Sequence, residues 1–262
     1  DAMLVDQSGV REYLPEVAPK LRWVHVTNAG IDYLVRRGLH KVPLTITNSR
    51  GMHGRNMGEY VVMMMLAFCK ALPHYIHAQR RHEWSKAQPD ELFAKTLGIV
   101  GYGAIGRGVA TAAHAMGVRV LGARRRSTGE PEPGADVMYP MERLHEMLAE
   151  CDFVLSAAPW TPDADRMLGA PEFAAMKPGA VFINIGRGTT VDEAALIEAL
   201  RSGHLGGAAL DVLAEEPPSP ENPLWEMENV LITPHTSGNT PYYYDGVLDI
   251  FCESLRRVLD GE

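Results

Sequence analysis

Short apolar runs alternate with stretches of helical periodicity along most of this chain. In its first part, Met3 to Val5, Leu21 to Val26 and Leu44 to Ile46 read as strands bounded by turn residues. From Asn56 to Arg81 the pattern is helical, with Pro73 set to kink or divide the segment because proline removes a helix hydrogen bond. Six more apolar runs follow, at Leu97 to Val100, Val118 to Leu121, Phe153 to Ser156, Val181 to Ile185, Ala208 to Asp211 and Val230 to Ile232. Strands that are apolar throughout are buried on both faces, and helical crossovers between them make them parallel, so a doubly wound α/β sheet is expected. Asp192 is the expected N-cap of a helix from Glu193 to Arg201 that Gly203 ends, and the proline-rich stretch from Glu216 to Pro223 reads as a rigid surface loop. A last helix, Pro241 to Leu259, carries Val247, Ile250, Phe251, Leu255 and Val258 at helical spacing and is expected to pack back on the N-terminal part.

The 262 residues allow one large domain or two smaller ones. A formal charge of −8 argues against nucleic acid and against an anionic membrane surface as partners, since both call for a dense basic face. Cys69, Cys151 and Cys252 are odd in number and far apart, which suits neither a disulfide framework nor a metal site, and points to a reducing cytoplasm. The Met-rich run from Val61 to Phe68 is shorter than the roughly 20 residues of a membrane-spanning helix. Because Asp1 directly precedes the strand-like Ala2-Met3-Leu4-Val5, a further N-terminal piece is expected ahead of it.

Gly101-Tyr102-Gly103-Ala104-Ile105-Gly106 follows a strand and opens a helix, the context in which a Gly-x-Gly-x-x-Gly pattern points to a Rossmann-type dinucleotide site. Gly101 permits the tight turn, Gly103 lets backbone approach a pyrophosphate, and Gly106 allows helix to pack on strand. Free N–H groups at the helix start then face the anion. At the end of the next strand, where an NAD-selective site keeps an acid for the ribose hydroxyl, stand Arg124, Arg125 and Arg126. Guanidinium groups suit a 2′-phosphate and offer no acceptor to a hydroxyl, so NADP is favoured over NAD; the bland alternative is a solvated basic loop.

Three residues stand just beyond the carboxyl ends of successive strands: Arg187, Glu216 and His235. That rim is where ligands bind in open α/β sheets. Arg187 suits a substrate carboxylate and its adjacent carbonyl, His235 is the natural proton donor near neutral pH, and Glu216 beside the imidazole would favour the protonated form. Each taken alone has an ordinary explanation as a turn arginine, a solvated acid and a surface histidine. Their ordered appearance downstream of a dinucleotide turn points to hydride transfer between a nicotinamide and a small 2-oxo acid.

These motifs resemble those of the D-isomer-specific 2-hydroxyacid dehydrogenase family over nearly the whole chain. The resemblance rests on Gly101 to Gly106, Asn184-Ile185-Gly186-Arg187-Gly188, Ala209-Leu210-Asp211-Val212 with Glu215-Glu216-Pro217, and Thr233-Pro234-His235-Thr236-Ser237-Gly238. It implies catalytic roles for Arg187, Glu216 and His235, and places Asp211 near the nicotinamide carboxamide. It adds Pro159, Thr161, Ile185, His235, Ser237 and Gly238 to the cofactor contacts, beside Gly101, Gly103, Ala104, Ile105, Gly106 and Arg124 to Arg126. Asn28-Ala29-Gly30 looks like the loop whose backbone N–H groups receive the substrate carboxylate, together with Arg187 and His235. The implied architecture is a Rossmann-type dinucleotide-binding domain at 56–238 with a smaller, N-terminally truncated, flavodoxin-like substrate domain at 1–55 and 239–262.

Within that family the arginine-rich strand end is similar to NADPH-dependent glyoxylate and hydroxypyruvate reductases, and a cytoplasmic homodimer is implied. The segment from Asn56 to Arg81 would contribute to the dimer, although Met57 and Met63 to Met65 equally suit an ordinary core. Two alternatives stay in play: a formate- or phosphite-type dehydrogenase on the same scaffold, and a cofactor-sensing, corepressor-like interaction protein.

Overall fold

A computed structural model of the chain describes residues 2–6, 9–10, 14–125 and 130–260. It divides into two compact units, one of Asp1–His53 with Asn239–Glu262, the other of Gly54–Gly238. The smaller unit holds three parallel strands in sequential order, β1 (Ala2–Val5), β2 (Trp23–Val26) and β3 (Thr45–Asn48). Short helices α1 (Leu14–Val17) and α2 (Asp32–Arg36) connect them. Val24, Val26 and Leu34 form the centre of its core. The last helix of the chain belongs to this unit: its Phe251 stacks on Trp23 with ring centroids 5.2 Å apart. His25 lies fully buried beside them. The Ser49 hydroxyl donates to Val26 O at 3.3 Å, so it accepts from Nε2–H of His25 at 3.0 Å. Burial lowers the His25 pKa, and the ring serves as a neutral structural link between β2 and the end of β3.

The larger unit starts with α3 (Gly54–Cys69) and α4 (Leu72–Arg80), then alternates strand and helix: β4 (Thr96–Val100), α5 (Ala104–His114), β5 (Arg119–Arg124), β6 (Val137–Pro140), α6 (Leu144–Leu148), β7 (Phe153–Ser156), α7 (Ala170–Ala175), β8 (Val181–Asn184), α8 (Glu193–Arg201), β9 (Gly207–Leu210) and β10 (Val230–Ile232). The chain then passes to α9 (Tyr243–Asp260) of the smaller unit. All seven strands are parallel, in the order β10-β9-β8-β7-β4-β5-β6. The winding reverses between β4 and β7, the switch point at which such sheets bind ligands outside the strands' carboxyl ends.

Alternation along each buried strand divides the core between two faces. Leu97, Ile99, Leu155 and Ile183 meet α3 and α5 on one face. Val154, Phe182, Ala208 and Leu210 meet α6, α7 and α8 on the other. Each of the larger of these side chains, Leu, Ile, Val or Phe, contributes about 1.5–3 kcal/mol of hydrophobic stabilisation when fully buried.

Three local features differ from the sequence expectation. The edge strand β6 lacked a recognisable pattern, because Val137-Met138-Tyr139-Pro140 is short, ends in proline and follows a proline-rich turn. The long helical segment divides at Lys70-Ala71, where Ala71 adopts φ +55°, and the two halves bend by 66°. Pro73 is accommodated in the first turn of α4, where its missing N–H costs no hydrogen bond, so the break falls ahead of it. Met57, Met64 and Met65 are core residues of α3, whereas Met63 faces solvent. The Asp192 cap forms as expected, its carboxylate accepting from Ala195 N at 3.2 Å. Among the described residues no single helix is long and apolar enough to cross a membrane.

Candidate active site

The dinucleotide turn is built on backbone-to-backbone contact. Gly101 has φ +89°, and a Cβ on it would lie 2.5 Å from Ala158 Cα, so both conformation and space demand glycine. Its N–H and that of Tyr102 donate to Ala123 O at 2.9 and 3.0 Å, fastening the turn to β5. The N–H groups of Ala104, Ile105 and Gly106 precede the first intrahelical bond of α5, from Arg107 N to Gly103 O, and stand where a helix receives an anion. Gly106 is less stringent than the motif suggests, since a Cβ there would meet Tyr102 and Ile99 at 3.1 and 3.4 Å. The stringent glycine of α5 is Gly108, which the motif does not contain: a Cβ there would lie 2.2 Å from Gly54 O.

The three arginines do not share one environment. Arg124 closes β5, and its Nη2 is paired with Glu132, whose other oxygen is 3.7 Å from Arg107 Nη1. The Glu132 side chain is only 19 % exposed, so this is a sheltered pair. Arg124 Nε is buried with no hydrogen-bond partner among the described residues. Arg125 is exposed and reaches Asp163 Oδ2 at 3.2 Å. Arg126 lies outside the described residues. On the loop after β7, Pro159 is exposed, Thr161 half-buried, and the Trp160 indole donates to Asp165 Oδ1 at 3.0 Å.

A dinucleotide fits these residues. The turn at Gly101 is a cradle that any Cβ would fill, the N–H groups ahead of the first intrahelical bond open beside it, and among the described residues Ser156 Oγ and Arg124 Nε are buried polar atoms without partners.

Beyond β9, the carboxylate of Asp211 is 2 % exposed and gathers the next loop around itself. Oδ1 accepts from Thr233 Oγ1 at 2.6 Å and Thr236 N at 2.8 Å, and Oδ2 from Ser237 N at 2.9 Å. The backbone carbonyl of Asp211 accepts from His235 N at 2.9 Å. Held at both sides, His235 adopts φ +54°, a left-handed conformation that side-chain-bearing residues seldom take. Its Nδ1 lies 2.7 Å from Glu216 Oε2. A carboxylate only accepts, so Nδ1 carries the hydrogen and Nε2 is the nitrogen that can exchange a proton. The His235 side chain is 51 % exposed, open to a reactant.

Glu216 is itself held. Its Oε1 accepts from Leu213 N at 3.2 Å, while Glu193 at the start of α8 accepts from Ala214 N at 3.0 Å and Asn222 Nδ2 at 2.8 Å. The β8 loop presses on this one: a Cβ on Gly188 would lie 1.8 Å from Leu213 O. Arg187, next to Gly188, has its carbonyl fixed by Thr190 Oγ1 at 2.7 Å and Asn184 Nδ2 at 3.3 Å, and its Nη1 donates to Gly186 O at 2.8 Å. Packing therefore joins the loops that carry Arg187, Glu216 and His235. Ile185 and Ser237 are buried, and Gly238 is half-buried. In the smaller unit, Asn28-Ala29-Gly30 follows the carboxyl end of β2, and Ala29 O accepts from Asn48 Nδ2 at 2.6 Å.

Residues 62–237 match the family model described as D-isomer specific 2-hydroxyacid dehydrogenase, NAD binding domain. The chain is 33 % identical over 232 residues to a glycerate dehydrogenase of Methylorubrum extorquens, covering 84 % of this chain and 70 % of that protein. It is 31 % identical over 264 residues to a D-3-phosphoglycerate dehydrogenase of Methanocaldococcus jannaschii, covering 99 % of this chain and 50 % of that one. Among solved structures it is similar to an NADPH-dependent glyoxylate/hydroxypyruvate reductase of Sinorhizobium meliloti in complex with NADP and sulfate, with a TM-score of 0.84 and 33 % identity over 100 % of this chain and 82 % of that one.

Gly101→Ala is expected to weaken nicotinamide dinucleotide binding by about tenfold or more, because the added methyl must displace the Ala158 backbone. Fluorescence titration checks this; unchanged affinity in a folded variant would remove the turn from the binding site.

Proposed function

The chain belongs to the D-isomer specific 2-hydroxyacid dehydrogenase family, and from that membership we propose that it reduces a small 2-oxo acid, of the glyoxylate or hydroxypyruvate kind, to the D-2-hydroxy acid with NADPH. The observation that carries this reading is the His235–Glu216 pair at 2.7 Å, on loops at the same sheet edge as the dinucleotide turn. The turn at Gly101 and the start of α5 would receive the dinucleotide phosphates, with the loop from Ser156 to Thr161 beside them.

When bound, the reduced nicotinamide supplies a hydride for C2 of the oxo acid. The protein supplies the rest. Arg187 orients the substrate carboxylate through paired N–H donors and draws electron density from the adjacent carbonyl. His235 delivers a proton from Nε2 to the carbonyl oxygen as negative charge develops there, which completes the alcohol. Glu216 holds the Nδ1 hydrogen and fixes the ring, so that Nε2 is the nitrogen turned to the reaction. In the oxidative direction the same Nε2 takes the proton back. Asn28-Ala29-Gly30 is proposed as the carboxylate-receiving loop of the smaller unit.

Preference for NADPH rests on Arg124, which occupies the strand end where an NAD-selective site would carry an acid. Glu132 already holds one edge of its guanidinium, and its Nε is a donor with no partner among the described residues. Arg124→Ala is expected to lower kcat/KM for NADPH roughly ten- to hundredfold while leaving NADH turnover nearly unchanged, since a hydrogen bond to a charged group is worth about 1.5–3 kcal/mol. Equal losses with both dinucleotides would contradict the phosphate clamp. Assays of glyoxylate, hydroxypyruvate and longer 2-oxo acids with each dinucleotide test the reaction itself. Failure on all of them, with oxidation of 3-phosphoglycerate, formate or phosphite instead, would overturn the assignment.

We further propose that the protein is a homodimer. Trp84 is 97 % and Phe93 70 % exposed in the segment after α4, two large apolar side chains that a partner copy would cover. Light scattering after size exclusion is expected to give twice the chain mass, and Trp84→Asp with Phe93→Asp to give monomer; a monomeric wild type would refute it.

A further inference from the structure

The mechanism uses the tip of the loop that follows β10, yet the bonds holding that loop extend to a helix far away in sequence. Tyr60 lies near the middle of α3, and its hydroxyl is 2.6 Å from Thr233 Oγ1. Thr233 Oγ1 is in turn 2.6 Å from Asp211 Oδ1. The order of hydrogens along this chain follows from the chemistry of its last member. Asp211 Oδ1 only accepts, so the Thr233 proton points to it, and Thr233 must then accept from Tyr60. Burial, with the Asp211 charge adding to it, pushes the Tyr60 phenol up to about 12, so it remains a donor throughout the working pH range. One turn earlier on α3, Asn56 Nδ2 donates to Ser237 O at 3.4 Å. α3 thus grips the loop on both sides of His235, the residue whose backbone is held in the left-handed region.

The helix has a fixed seat from which to do so. Its Gly54 and Gly58 lie against Gly108 of α5, so close that a Cβ on Gly58 would be 3.0 Å from Gly108 O. α5 is the helix that begins at the dinucleotide turn. The glycine contact therefore links the turn to α3, and the Tyr60 hydroxyl links α3 to the His235 loop.

We propose that Tyr60 is a positioning residue for proton transfer, acting through Thr233 and Asp211 to hold the His235 loop in register with the dinucleotide turn. The proposal rests on the reading of His235 as the proton donor. Tyr60 touches neither substrate nor dinucleotide in this scheme. Loss of its hydroxyl loosens the loop and lowers the fraction of molecules with the imidazole in place, which lowers kcat far more than dinucleotide affinity, because the turn at Gly101 and the start of α5 are untouched.

The test uses the full chain and the 2-oxo acid that the wild type turns over best. Tyr60→Phe and Thr233→Val are each expected to lower kcat roughly three- to tenfold, the effect of losing one ordinary hydrogen bond. The dinucleotide Kd, by fluorescence titration, is expected to stay within about twofold of wild type. Thr233→Ser keeps the hydroxyl and is expected to restore most of the rate. The double variant Tyr60→Phe/Thr233→Val is expected to be no slower than the slower single variant, because both cut one chain of bonds. The proposal is overturned if Tyr60→Phe keeps the wild-type kcat, if kcat and dinucleotide affinity fall together, if Thr233→Ser is as slow as Thr233→Val, or if the double variant shows the product of the single losses. A wild type that reduces no 2-oxo acid ends the functional reading and this proposal together. An active wild type matched by Tyr60→Phe ends this proposal alone.

Discussion

A carboxylate sealed from water must be matched by donors of its own chain, and Asp211 is the place where that requirement shapes the site. At 2 % exposure it has almost no solvent to turn to. The donors it recruits are Thr233 Oγ1, Thr236 N and Ser237 N, which bracket Pro234 and His235. Satisfying the carboxylate closes the loop around that histidine and holds its backbone at φ +54°. Such a conformation costs on the order of 1–3 kcal/mol and persists where the surroundings over-determine it. The bonds to Asp211, with the clasp of α3 on Thr233 and Ser237, supply that determination. The imidazole meets Glu216 as a consequence of this closure.

Glu216 comes to the same point from another direction. Its loop is pinned by Glu193 at the start of α8 and pressed by the backbone at Gly188. Arg187, Glu216 and His235 thus reach one rim through the parallel order β8-β9-β10, each loop fixed by contacts of its own. The dinucleotide turn sits on β4, across β7 from them, beside the switch point of the sheet. The placement of these loops is set by rigid strand ends and by backbone contacts that glycine alone allows.

The legible parts of this architecture were those with a local signature. Buried parallel strands announce themselves as apolar runs, and β7 and β10 begin and end where the pattern placed them, at Phe153–Ser156 and Val230–Ile232. The dinucleotide turn was readable because Gly101 serves a local conformational need. The placement of Arg187, Glu216 and His235 beyond β8, β9 and β10 was readable because each follows a strand end. What escaped was set by distant partners. Tyr60 and Thr233 are 173 positions apart, and nothing in the pattern around Tyr60 marks its hydroxyl. Gly108 looks like any small helical residue until α3 is laid against it. Glu132 stands between Pro131 and Pro133, in a stretch that gives no hint of a partner in Arg124. β6, a four-residue edge strand, lacks the two-sided burial that makes its neighbours conspicuous.

The central claim is that the His235 imidazole is the proton source of a reduction whose dinucleotide binds independently of it. Single-turnover reduction of a 2-oxo acid by His235→Ala, measured beside its NADPH affinity, tests this most directly. The account predicts that NADPH binds with near wild-type affinity while reduction falls by about two to four orders of magnitude, the range that general acid catalysis commonly supplies. Reduction at close to the wild-type rate would contradict it.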